Sequence, residues 1–88
     1  MIEWKPDQAR WRQVYEIIRG QIESGQLRPG DKVPSVIQLQ AEYGIATATG
    51  QKVHRALRVD GLIRTEPGMG SFVVPREGVA DEDQQNGS

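Results

Sequence analysis

The 88-residue sequence predicts a mainly α fold with a small β-hairpin, a winged helix-turn-helix of three helices plus wing. Three observations lead there. Apolar residues recur at helical spacing from Trp11 to Ile22, and two further helical segments are separated by a tight turn at Gly44. After Gly61 the pattern changes to two β-rich runs joined by Pro67-Gly68-Met69-Gly70.

In the first helix, Trp11, Val14, Tyr15, Ile18 and Ile22 fall on one face, as a core-facing stripe does. Asp7 behind Pro6 is the expected N-cap and Gly25 the expected C′ residue, which brackets a helix of about residues 8 to 24. Pro29-Gly30 then signals a type II turn leading to a short extended piece at Lys32-Val33. Ser35 caps the second helix, with Gln38 completing a capping box; Ile37, Leu39, Ala41 and Tyr43 give it apolar surface before Gly44 stops it. The third helix spans Thr47 to Val59 and ends at Asp60-Gly61, with Ile45, Thr49, Val53, Ala56 and Leu57 expected inward. Residues 62–66 and 71–74 form the hairpin, with glycines at its tip.

Size and composition exclude several functions. A chain this short buries only about 60% of its unfolded surface, too little to build a core and also enclose a deep catalytic cavity. It has no cysteine, and its one histidine, His54, cannot build a multi-histidine metal site; His54 is expected to be a partly exposed helix residue. No Ser/His/Asp set or paired carboxylates can be placed on one face, so neither catalysis nor a cofactor is expected. No run approaches the roughly 18 apolar residues of a membrane span, and MIEWKPDQ lacks the order of a signal peptide. A cytoplasmic location is therefore expected.

The net charge of −1 argues against a polyanion partner only until it is divided along the chain. Residues 1–76 hold all 11 bases and eight of the 12 acids, a balance of +3. Residues 77–88 hold no base and four acids, Glu77, Asp81, Glu82 and Asp83, and their polar composition predicts a disordered acidic tail. The domain expected to fold, 1–76, is mildly basic.

With the inward positions assigned, the third helix shows Thr47, Ala48, Gln51, Lys52 and Arg55 on its other face. Hydroxyl, methyl, amide and cationic groups suit base edges and phosphates, though any exposed helix is also polar. A glycine-rich hairpin tip can lie along a phosphate backbone or in the minor groove. Glu66 and Pro67 beside it do not favour phosphate, and Arg64 is the only cation in the hairpin.

These residues resemble the N-terminal DNA-binding domain of the GntR family of bacterial transcription regulators. The resemblance covers about residues 11–74: IESGQL from Ile22, RPGDKVPS at 28–35, Leu39 with Ala41-Glu42-Tyr43-Gly44, Ala56-Leu57, Asp60-Gly61-Leu62-Ile63, and GMGSFV at 68–73. It implies DNA contacts from three places. They are the start of the second helix (Ser35), the recognition helix (Thr47, Ala48, Thr49, Gln51, Lys52, Arg55), and the wing tip (Gly68, Met69, Gly70). Several positions depart from the family pattern: Val36-Ile37 stands for Glu-Arg, Ala46-Thr47 for Ser-Arg, Gln51 for Arg, and Thr65-Glu66 for basic wing residues. Gly50 stands for a core Val and Val53 for Ala, which reads as an exchange of volume between them. The family pairs this domain with a C-terminal effector domain, whereas this sequence ends in its acidic tail, so no effector domain is expected.

The resemblance implies a sequence-specific DNA-binding transcription regulator, with double-stranded DNA as partner and a homodimer on an inverted repeat. The alternative is a protein–protein interaction module on a winged-helix scaffold with little or no DNA binding. It is motivated by apolar Ile37 and Met69 and by the tail.

Overall fold

Gln13 sets where the first helix begins. Its buried side-chain amide accepts from Lys5 N–H (2.8 Å) and donates to the carbonyls of Lys5 (3.0 Å) and Gln8 (2.9 Å), pinning the incoming chain in a turn. The helix α1 therefore spans Arg10–Glu23 with Ala9 as an N-cap that makes no side-chain cap bond. The expected Asp7 cap and start at residue 8 are corrected, because Pro6 to Gln8 belong to that turn. The computed structural model describes residues 3–75. The tail expected at 77–88 lies outside the described residues.

The inward stripe of α1 is Val14, Tyr15, Ile18 and Ile22, while Trp11 is half-buried at its margin. Gly25, at φ +87°, turns the chain out of the helix. In the Pro29-Gly30 turn, Asp31 N–H returns to Arg28 O at 2.9 Å, as a type II turn requires.

Helix α2 (Val36–Tyr43) has both halves of its capping box: Gln38 N–H donates to Ser35 Oγ, and Ser35 N–H donates to Gln38 Oε1. Two of the amides that a helix start leaves without partners are thereby satisfied. Its buried contribution is Leu39; Ala41 is exposed, Tyr43 half-buried, and Ile37 is left 77% exposed.

Helix α3 (Thr47–Val59) matches its expected bounds, but the buried face is rotated by about one position. Gly50, Val53, His54 and Leu57 point inward, whereas Thr49 and Ala56 are half-buried. His54 is therefore not the partly exposed residue expected. Its Nε2–H donates to Pro34 O at 2.8 Å, tying the middle of α3 to the entrance of α2. A Cβ at Gly50 would meet Val36 Cγ1 at 3.0 Å. Val36, not Val53, fills the volume beside Gly50, which corrects the expected exchange.

Strands β1 (Ile63–Glu66) and β2 (Gly70–Val73) pair antiparallel, with Ile63 opposite Val73 and Glu66 opposite Gly70. Met69 N–H donates to Glu66 O at 2.9 Å across a turn with Gly68 at φ +75°. The expected extended piece at 32–33 joins the far side of β2: Lys32 bridges Phe72, Val33 N–H reaches Ser71 O and Val73 N–H reaches Asp31 O. Ile18, Val33, Leu39, Val53, Leu57 and Val73 are almost fully buried, so all three helices and the sheet share one core. Burial of each such side chain contributes about 1.5–3 kcal/mol.

Candidate nucleic-acid interface

The first turn of α3 carries Thr47 and Ala48, both exposed, on a helix start where Ala46 makes no side-chain cap bond. Its leading amides thus face outward with the positive end of the helix dipole, a geometry that suits a phosphate oxygen. From Ala48 onward, Ala48, Gln51, Lys52 and Arg55 line a shallow depression of about 330 Å³. These four lie at i, i+3, i+4 and i+7, and so share one face. The structure brings together four of the six α3 candidates; Thr47 lies a step towards the helix start, and Thr49 is half-buried on the flank.

The cations of this face differ in how they are held. Lys52 Nζ lies 5.0 Å from the centroid of the Trp11 ring, so a residue of α1 steadies an ammonium of the recognition helix. Neither Lys52 nor Arg55 has an ion-pair partner among the described residues. Ser35 stands at the entrance of α2, its Oγ lone pair engaged by Gln38 and its own hydroxyl proton able to donate outward.

At the wing, Gly68 and Met69 are exposed at the tip, and Gly70 holds φ +121°. Arg64 pairs with Glu66 and stacks over Phe72 at 5.9 Å, so the only hairpin cation is largely neutralised. Sequence reasoning missed Lys32: a Cβ at Gly70 would lie 2.6 Å from Lys32 Cε, so the glycine leaves the path this lysine takes across the wing. The spacing of Lys32 from the hairpin gave no signal of it. Arg58 was also missed: its Nη1 reaches Thr65 Oγ1 (3.4 Å), and Thr65 in turn shares a hydrogen bond with Ser71 Oγ (3.0 Å). The recognition helix and the wing are thereby joined through side chains.

Where α3 ends, the Tyr15 hydroxyl donates to Asp60 Oδ2. Burial first, then this bond and the carboxylate charge, push the Tyr15 hydroxyl above its ordinary pKa. Among the described residues, no group of three or more His, Cys, Asp or Glu is placed to hold a metal ion, and no helix is long and apolar enough to cross a membrane.

Three helices with α2 and α3 in a helix-turn-helix, closed by a β-hairpin, define a winged helix-turn-helix domain, the class of the DNA-binding domains of many regulators. The family described as bacterial regulatory proteins, gntR family, matches residues 11–73. The chain belongs to that family, and residues 11–73 are its DNA-binding domain. Among its relatives, the mannosyl-D-glycerate transport/metabolism system repressor MngR of Escherichia coli (strain K12) is 35% identical over 63 residues, 72% of this chain and 26% of that protein. The histidine utilization repressor of Klebsiella aerogenes is 34% identical over 68 residues, 77% of this chain and 28% of that protein. The chain thus spans under a third of the length of these relatives. Among solved structures, AraR(DBD) in complex with an operator superposes with a TM-score of 0.77 at 27% identity, over 83% of this chain and 93% of that one.

Proposed function

We propose that this chain binds double-stranded operator DNA sequence-specifically and regulates transcription from the cytoplasm. In this reading α3 enters the major groove, and the wing lies along the backbone or in the minor groove. The observation that carries it is the outward face of α3. Gln51, Lys52 and Arg55 converge there around Ala48, with two cations matched by no carboxylate among the described residues. Gln suits adenine and Arg guanine, Lys suits guanine or phosphate, and the Ala48 methyl can meet a thymine methyl. Ser35 and the first turn of α3, including Thr47 and Thr49, supply phosphate contacts. Gly68, Met69, Gly70 and the neighbouring Lys32 supply those of the wing. The operator-bound neighbour supports the DNA reading over a pure protein-interaction module.

Two copies on an inverted repeat, with half-sites about one helical turn apart, would give each α3 its own major groove. A duplex selected from a random library, then measured by fluorescence anisotropy against scrambled duplex at matched salt, tests the reading. Binding of the selected duplex at least tenfold tighter supports it, and equal affinity overturns it. The logarithm of the binding constant should fall with the logarithm of salt at a slope of roughly −3 to −6, as a few phosphate contacts per subunit demand. The mass of the complex, two chains per duplex or one, decides the dimer.

A further inference from the structure

Between α1 and α3 runs a groove of about 340 Å³ with Arg12, Arg19, Lys52 and Arg55 around it. Trp11 and Val59 give it an apolar floor, and Val59 is 77% exposed. Arg12 and Arg19 each have an acid one turn on, Glu16 at 3.9 Å and Glu23 at 2.9 Å, but Lys52 and Arg55 have none among the described residues. Asp60 is the one carboxylate lining the groove, and it accepts from Tyr15. The groove therefore joins a positive field to an apolar strip, which suits an acidic segment that carries a small apolar element.

The location of Val74 and Pro75 identifies such a segment. They line a second cleft, of about 510 Å³, that shares Tyr15, Arg19 and Asp60 with the groove. The chain thus arrives at one end of the groove, and Val79-Ala80-Asp81-Glu82-Asp83 follows within eight residues. Asp81, six residues past Pro75, has a reach of about 20 Å. The eight steps from Asp60, the C-cap of α3, back to Lys52 cover only about 12 Å. We propose that residues 79–83 of this chain dock in the α1–α3 groove, Val79 and Ala80 on the Trp11 and Val59 floor and the carboxylates against Lys52 and Arg55. Because those two cations also line the outward face of α3, the docked segment competes with DNA for them. The docking stands on the groove alone; the competition rests on the DNA reading given above.

The chain has no cysteine, so Gln84→Cys provides a single site for a nitroxide label. In the full chain at low salt, the label should broaden the Trp11 indole and the Ala56 and Val59 amide signals at least twofold more than those of the wing. The triple change Asp81→Asn, Glu82→Gln, Asp83→Asn should abolish that selectivity, and so should high salt. Broadening spread evenly over the surface, or none, overturns the docking. Broadening seen only on mixing isotope-labelled chains with spin-labelled, NMR-silent ones also overturns it, by placing a second copy's tail in the groove. Without a label, the triple variant should bind duplex about threefold or more tighter at low salt, the scale of a few screened surface pairs. Selective broadening with unchanged DNA affinity leaves the docking intact and removes Lys52 and Arg55 from the DNA contacts.

Discussion

Helix α3 and the wing, the two parts of this domain proposed to meet DNA, hold their arginines in different ways. On α3, Lys52 and Arg55 face outward, and no carboxylate among the described residues matches them. On the wing, Arg64 is matched by Glu66 two residues away, and Lys32 runs across the space that a side chain at Gly70 would take. On the DNA reading proposed above, the difference predicts that α3 contributes more of the affinity than Arg64 of the wing does. An unpaired surface cation adds its full attraction to a phosphate, whereas a paired one must first give up its partner.

The largest effect should come from Lys52→Ala with Arg55→Ala. At about 1–3 kcal/mol for each specific contact, affinity for the selected duplex should fall at least tenfold, and the salt slope should lose about 2. A fall below twofold in the same anisotropy assay breaks the comparison. Next, Gly70→Ala forces a side chain into φ +121° and onto Lys32, and should cost about 1–3 kcal/mol of stability in urea unfolding. If its stability is unchanged, the wing does not depend on that backbone conformation.

Tyr15→Phe removes the tie between α1 and the end of α3, beside the helix–wing pair, and should cost about 1 kcal/mol at neutral pH. Its pH dependence follows from the raised Tyr15 pKa. The folded state favours the neutral phenol, so this stabilisation is complete below the unfolded value near 10 and is lost as pH rises through the folded one. Thermal melts should show wild type losing more stability above pH 10 than Tyr15→Phe does. The smallest effect is expected on the wing, where Arg64→Gln should change DNA affinity by less than about twofold, since Glu66 already holds that charge.

The elements were legible because they are local. Gln38 three residues after Ser35 makes a capping box wherever it occurs, and Pro-Gly turns act within four residues. The facing of α3 was not, because its buried stripe centres on Gly50, which has no side chain to contribute to a hydrophobic pattern, and on His54, which reads as polar. The start of α1 was misplaced for a similar reason: Gln13 acts as a buried clamp on residues five and eight positions earlier, and no periodicity reports that. At the interface, the outward cations followed from helical spacing. Trp11 beneath Lys52 and Lys32 beside Gly70 depend on contacts 41 and 38 residues apart, respectively, which only the folded chain brings together.

Strand β2 has partners on both sides, β1 on one and the Lys32 bridge on the other. Among the described residues the only sheet edge without a strand beside it is therefore the outer edge of β1, four residues long and carrying Arg64 and Glu66. A short, charged edge is a poor template for another chain's strand. Two copies of this domain can therefore bring their wings close without the hairpins joining into a shared sheet.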